Sequence, residues 1–392
     1  MTTDPRIDAL APGTILGMKY RIDRLLGEGG MGAVYAAYHI DLRKQVALKV
    51  IAARHSTDQR TIERFRLEAR MASQARHPNI VEVLDLGNAD NRWFLAMELL
   101  EGLDLFDAIV MKRTYDPLEI VPVLDQVLSA LETAHGLGLV HRDLKPENVF
   151  LARSHDGDVH VKILDFGVVK VVDEGASAHL TRTGTVVGTP EYMSPEQATD
   201  NKVDARSDLY SVGCIAYAML CGCPPFVDKS VLRVLSAQVT QTPRAPSMLR
   251  PGMAHATQVD DFVLRALEKR PPQRYQTARE MRAALHALAR VLGGLKTVSQ
   301  RITLPSAEAL DRTHPEGTPS AEDLASTLPD SESEAGPPRL AAPPAQPPPL
   351  LPAPSTTGVR AHPTGVSTLG VVLAAAIGAL IAAVVTYLLV RR

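Results

Sequence analysis

Apolar and polar positions along the first third of the chain follow two different periods. Tyr20–Leu26, Val34–Tyr38 and Gln45–Ile51 are β-rich runs, and the last two alternate in the period-two manner of half-buried strands. Thr61–Ala75 instead places Ile62, Phe65, Leu67 and Met71 at helical spacing, and His77-Pro78 marks the stop. Short apolar runs at Phe94–Met97 and Val161–Leu164 read as buried strands, and an apolar helix follows Asp208. The pattern then changes character. Residues from about 296 to 366 carry no sustained period, and 14 of the 29 prolines fall between Arg301 and Thr364. Gly336–Pro354 is mostly Pro, Ala and Leu, a composition that favours extended, solvated backbone over a packed core. Val371–Val390 is an uncharged run of 20 residues whose only polar groups are on Thr386 and Tyr387. As a helix it would span about 30 Å, the thickness of a bilayer's hydrocarbon layer. The competing reading is a buried core helix, which the neighbouring sequence offers no element to cover.

The chain therefore divides into a globular body over 18–292, a disordered Pro/Ala-rich arm over 296–366 and a transmembrane helix over 369–390. Composition narrows the function. A formal charge of −2 over 392 residues supplies no basic field, which argues against nucleic acid as a partner. Three cysteines, Cys214, Cys221 and Cys223, have neither zinc-type spacing nor an even count, and they point to a reducing compartment. Nothing at Met1–Leu16 has the basic-then-apolar order of a secretory signal.

Chemistry concentrates in the body. The first strand runs into Gly27-Glu28-Gly29-Gly30-Met31-Gly32, with Val34 two residues on. Glycines at these spacings let backbone approach phosphate where a side chain would clash. A dinucleotide-binding turn would lead into a helix; here strands follow, so the glycines sit in a hairpin. Lys49 lies in the next strand, in Val46-Ala47-Leu48-Lys49, and Glu68 lies on the helix 19 residues later. A buried lysine facing phosphates needs such a carboxylate to hold it. Downstream come His141-Arg142-Asp143-Leu144-Lys145-Pro146-Glu147-Asn148, Asp165-Phe166-Gly167, Gly188-Thr189-Pro190-Glu191-Tyr192, Ser194-Pro195-Glu196 and Asp208.

In this order and spacing the body resembles the protein kinase family, and within it a bacterial Ser/Thr kinase of the eukaryotic (Hanks) type. The resemblance covers roughly 18–290. It implies an α+β, two-lobed fold: a small antiparallel N-lobe over about 18–97 and a larger helical C-lobe over about 103–292. It implies ATP with Mg²⁺, or Mn²⁺, as cofactors and Ser/Thr hydroxyls of proteins as acceptors. By that likeness Gly27, Glu28, Gly29, Gly30, Met31 and Gly32 cover the phosphates, and Val34, Ala47, Glu98 and Leu100 line the adenine site, with Met97 as gatekeeper. Lys49 contacts the phosphates and is held by Glu68. Asp165 and Asn148 hold metal, Asp143 orients the acceptor hydroxyl, and Lys145 neutralises the γ-phosphate. Lys145 and Thr189 fit the Ser/Thr pattern rather than the Tyr pattern. Glu196 and Arg274 match a buried structural pair, and Asp208 matches the aspartate that pins the catalytic loop. Thr181, Thr183 and Thr185 are the candidate autophosphorylation sites, with Arg142 as the partner of the phosphate.

Two alternatives carry different expectations. A pseudokinase would bind ATP without transfer, yet every catalytic position is filled. A scaffold would work through the proline-rich arm, for which a plain spacer is the simpler reading. The anchor implies the bacterial inner membrane, crossed once, with the kinase body in the cytoplasm. Arg391 and Arg392 oppose that orientation weakly. Gly370, Ala374, Gly378 and Ala382 recur every fourth residue and form a small-residue stripe suited to a homodimer.

Overall fold

The computed structural model describes residues 10–30, 32–154, 156–165, 189–199, 201–293 and 302. The chain divides into units 1–330 and 331–392, and all described residues belong to the first. The arm beyond Ile302 and the 369–390 segment lie outside them, and among the described residues no helix is long and apolar enough to cross a membrane.

The alternating runs do form strands. β1 (Ile15–Leu16), β2 (Tyr20–Gly29), β3 (Gly32–His39), β4 (Lys44–Ile51), β5 (Val83–Ala89) and β6 (Arg92–Glu98) make one antiparallel sheet in the order β1-β2-β3-β4-β6-β5. β1 precedes the boundary read at residue 18; two residues are too few to show a period, but Leu16 is buried in the sheet's core. One face of the sheet packs Tyr20, Ile22, Tyr35, Leu48 and Phe94 together. The other packs Ala47, Leu95 and Met97 against Phe65 and Ala69 of α1 (Gln59–Gln74). α1 begins at the Asp58 cap, which accepts from the Arg60 amide and the Thr61 hydroxyl.

The larger lobe is helical. α2 (Leu105–Lys112), α3 (Pro117–Gly136), α4 (Pro195–Ala198), α5 (Ala205–Cys221), α6 (Val231–Thr240), α7 (Pro246–Leu249), α8 (Ala256–Ala266) and α9 (Ala278–Val291) follow β7 (Gly102–Asp104), with the hairpin β8 (Val149–Arg153) and β9 (Val159–Ile163) between α3 and α4. The three short strands pair in the order β7-β8-β9. α5 is buried from Ser207 to Cys221, which explains its nearly unbroken apolar sequence, and Gly222 closes it at φ 77°. Cys214 and Cys221 sit on α5 and Cys223 just beyond it; all three are free and buried, and burial pushes each thiol up, Cys223 to about 11. They behave as core side chains rather than as nucleophiles. Ile302, inside the range read as arm, is buried with the C-lobe core.

Candidate active site

The strand that follows the glycine hairpin delivers Lys49 to the seam between sheet and helix. Its ammonium lies 2.8 Å from Glu68 Oε1 and 2.8 Å from Asp165 Oδ2. Glu68 comes from the buried face of α1, so helix packing and charge pairing place it together. The three charges disturb one another. Burial favours neutral Lys49, but attraction to Asp165 and Glu68 reverses this and carries its pKa upward. Burial raises Glu68, Lys49 opposes, Asp165 adds, and the net result is about 7. Burial would raise Asp165 as well, but Lys49 holds it below the usual carboxylate range. Asp165 is the most open of the three, its side chain 43% exposed, and it sits at a positive φ of 25°.

The catalytic-loop residues converge below. Asn148 Nδ2 donates to the Asp143 carbonyl at 2.8 Å and approaches Asp143 Oδ2 at 3.4 Å. Lys145 Nζ donates to Thr189 Oγ1 at 2.9 Å across 44 residues of sequence, so the pair read together in the sequence is together in space. The loop owes its shape to Asp208, 1% exposed, whose oxygens accept from the amides of His141 (2.8 Å) and Arg142 (2.9 Å). Arg142 adopts φ 65°, a left-handed conformation costly for a side chain of its size and sustained by these bonds. His141 Nε2 meets the Leu164 carbonyl at 3.1 Å, and Leu164 donates to the Asn148 carbonyl at 2.9 Å, which sets Asp165 beside the loop. Asp165 and Asn148 offer a carboxylate and an amide oxygen, hard donors that suit Mg²⁺ or Mn²⁺.

The adenine side is apolar: Val34, Leu99, Leu100 and Leu164 pack around Ala47 and Met97. The Glu98 carboxylate is engaged elsewhere, by Lys162 at 2.6 Å and the Glu82 amide at 2.8 Å. Only the Glu98 backbone is left to serve the adenine. The glycines divide by role. A Cβ on Gly27 or Gly30 would meet open space, and one on Gly29 nothing nearer than 4.0 Å. A Cβ on Gly32 would sit 2.0 Å from the Val50 carbonyl oxygen, so that glycine is demanded by the β3–β4 approach as well as by any phosphate. Glu28 is exposed at the tip of the hairpin, in register with Ala33. Met31, Phe166, Gly167, Thr181, Thr183 and Thr185 lie outside the described residues.

Glu196 and Arg274 form the expected pair, bidentate at 2.8 Å for both bonds. Three polar groups, of which Gln197 and Gln238 are buried, were not legible as site residues. His135 meets Asp208 Oδ2 at 2.8 Å. Gln197 Nε2 donates to the Arg142 carbonyl at 2.6 Å while its oxygen accepts from the Ser194 amide. Its signal was the Ser-x-x-Gln spacing of a capping box. Gln238 donates to the carbonyls of Pro190 and Glu191, and nothing in the pattern of α6 distinguishes it.

Comparison with known proteins agrees with this geometry. The protein kinase domain model matches residues 20–286. The serine/threonine-protein kinase Pkn3 of Myxococcus xanthus is 42% identical over 278 residues, covering 70% of this chain and 51% of that protein. PknB of Mycobacterium leprae is 37% identical over 289 residues, covering 73% and 44%. The chain thus spans about half the length of the curated relatives it matches. Among solved structures, the Mycobacterium tuberculosis PknI kinase domain superposes with a TM-score of 0.56 at 30% identity, covering 72% of this chain and all of that one. With the glycine hairpin, the Lys49–Glu68 pair, the catalytic loop and the buried Glu196–Arg274 pair in one fold, the chain belongs to the protein kinase family.

Proposed function

We propose that the protein is a membrane-anchored serine/threonine kinase that transfers the γ-phosphate of ATP to protein hydroxyls. The observation that carries this reading is the closed Lys49–Glu68 pair with Asp165 on the same ammonium. Phosphoryl transfer asks the protein mainly for position and charge, and this triad supplies both. Lys49 would bind the α- and β-phosphates, and the Glu98 carbonyl and Leu100 amide would face the adenine edge. Asp165 and Asn148 would hold the divalent cation, whose charge offsets that of the phosphate oxygens. Asp143 orients the acceptor hydroxyl and takes its proton as the bond to phosphorus forms. Lys145, already joined to Thr189, places positive charge between the acceptor and the transferred group. Thr189 in that position supports Ser/Thr rather than Tyr acceptors.

Regulation follows from Arg142 and the threonines. Phosphate on Thr181 or Thr183, with Thr185 the weaker candidate, would bring nearly two negative charges to the Arg142 guanidinium and order the loop before Thr189. The 369–390 helix would anchor the body at the inner face of the bacterial membrane. Its Gly370–Ala382 stripe would pair two chains on long arms and favour phosphorylation of one loop by its neighbour.

The test is a phosphosite map of the full chain before and after ATP, beside an Asp143→Asn variant. Wild type should gain phosphate on the 181–185 loop and on an added protein, and the variant should lose at least about 100-fold in rate. Near-wild-type transfer by Asp143→Asn would reject the assignment of the loop, and no transfer by wild type would favour the pseudokinase.

A further inference from the structure

The segment that follows Thr189 is held by a line of buried polar groups that the transfer chemistry does not use. Pro190–Tyr192 forms a short 3₁₀ turn directly after the residue that meets Lys145. Its first two carbonyls point into the C-lobe, where Gln238 Nε2 donates to Pro190 O at 3.0 Å and to Glu191 O at 2.8 Å. Gln238 is fully buried on the inner face of α6. Its oxygen accepts from the Tyr210 hydroxyl at 2.6 Å, and Tyr210, fully buried on α5, accepts in turn from Lys269 Nζ at 3.2 Å.

The direction of this line is fixed by chemistry. Burial lowers the Lys269 pKa to about 8, so at pH 7 it is still mainly an ammonium, which has donors only; the Tyr210 oxygen then accepts from it and the phenolic proton goes to Gln238. That contact decides which end of the Gln238 amide is oxygen. The NH₂ end must then face the turn, where two buried carbonyls need two donors. A glutamine supplies both from one atom, and no other buried side chain of similar size does so while accepting a third bond. Lys269 is held in place by the Phe226 ring, 4.4 Å away, and the Tyr210 ring, 5.6 Å away. A second tie works from the opposite end: Ser211 Oγ donates to the Tyr192 carbonyl at 2.9 Å, and Gln197 joins α4 to the Arg142 carbonyl.

We infer that Gln238, oriented by Tyr210 and Lys269, is a positioning residue that fixes the Thr189–Tyr192 segment against the catalytic loop and so sets the affinity for the protein acceptor. The inference rests on the kinase reading. An acceptor hydroxyl brought to Asp143 arrives beside Lys145 and so beside Thr189, which Lys145 meets at 2.9 Å, and a displaced turn would misplace it. ATP, held on that reading under the glycine hairpin and at Lys49, would not touch this turn.

The experiment uses the full chain with myelin basic protein as a generic acceptor. Gln238→Glu keeps the shape and the acceptor for Tyr210 but turns both donors into a repelling carboxylate. It should raise the KM for the acceptor about tenfold or more, as expected for two buried hydrogen bonds lost. The KM for ATP and the rate of ATP hydrolysis without acceptor should stay within about twofold. Tyr210→Phe leaves both carbonyl bonds but frees the amide to turn, and should raise the acceptor KM about threefold. Thermal melting decides which variant is read: if Gln238→Glu does not fold, Tyr210→Phe decides alone. An unchanged acceptor KM in the folded variant overturns the inference, and so does a parallel rise in the KM for ATP. Absence of transfer by wild type overturns the kinase reading and this inference with it; transfer by wild type with an unchanged acceptor KM in the variant overturns the inference only.

Discussion

Two ion clusters, one inside the C-lobe and one where Asp165 of that lobe meets Lys49 and Glu68 of the N-lobe, are built on opposite principles. In the C-lobe, Arg274 is satisfied completely: two bonds to Glu196, and further bonds to the carbonyls of Glu268, Arg206 and Lys269. Glu196 takes a further bond from Ser207, and Arg274 keeps it below the usual carboxylate range despite burial. Nothing is left over, and neither group is open to solvent. Where the lobes meet, one ammonium faces two carboxylates, one of which has its side chain 43% exposed. That cluster is short of positive charge and open on the Asp165 side. The saturated cluster has no capacity for a ligand and acts as a clamp. On the proposed reading the unsaturated one would receive a cation and a polyanion together, and its imbalance is what leaves room for them.

The sharpest way to separate the two is to remove the cation from each. Arg274→Met should leave Glu196 buried without a partner, at a cost of about 3–5 kcal/mol, and lower the melting temperature by roughly 6–20 °C. Lys49→Met should cut phosphoryl transfer by at least about 100-fold. It should move the melting temperature less, because Glu68 can take up a proton when its partner is gone. Calorimetry and a transfer assay on both variants check this. A larger thermal shift for Lys49→Met than for Arg274→Met would erase the distinction.

What the sequence made legible follows the same division. The groups proposed to meet ligands lie in local motifs, so Lys49, Glu68, Asp143, Lys145, Asn148 and Asp165 could be named before any coordinates, and the structure brings Lys49 to Glu68 and Asp165, and Asn148 to Asp143. Strand and helix periods placed β2, β3, β4 and α1 within a few residues. The scaffold that holds these groups was less legible. His135, Gln197 and Gln238 reach their partners across tens of residues, and each is an ordinary polar side chain in a helical pattern. Periodicity reports which face is buried, not which polar atom on that face finds a carbonyl. Gly32 shows the limit from the other side: its motif suggested phosphate, while the nearest obstacle to a side chain is the Val50 carbonyl.

That difference among the glycines gives a smaller effect that sharpens the same contrast within one lobe. Gly32→Ala should destabilise by about 1–3 kcal/mol, because β3 must part from β4 to admit the methyl group. Gly27→Ala should change stability by no more than about 0.5 kcal/mol, since its Cβ meets open space. Its consequence should appear in the KM for ATP instead. Melting curves and ATP titrations of the two variants separate the roles, and equal thermal shifts would show that both glycines serve the sheet alike.

The smallest expected effect probes the imbalance itself. Glu68 titrates near 7 in the folded chain against an ordinary value of 4.5, with burial the largest cause. Between those values the native state holds a proton that the unfolded state has released. Stability contributed by this group therefore falls as pH rises from about 4.5 to about 7, then levels off. Asp165, with its pKa lowered, acts in the opposite sense but only at lower pH, and Asp104, raised by burial to about 6, titrates alike in wild type and in a Glu68→Gln variant, so the difference between the two chains across a scan from about pH 5 to pH 7.5 reports Glu68. Glu68→Gln cannot titrate. Its melting temperature should gain on wild type steadily across that scan, while phosphoryl transfer at pH 7.5 falls because Lys49 has lost one of its two anchors. Parallel melting curves would place the Glu68 pKa near its ordinary value, with Lys49 compensating it fully, and the Lys49 cluster would then be as balanced as the pair in the C-lobe. A gain in stability joined to a loss of turnover would show that the protein keeps an ionised, costly carboxylate there because Lys49 must be held where the phosphates arrive.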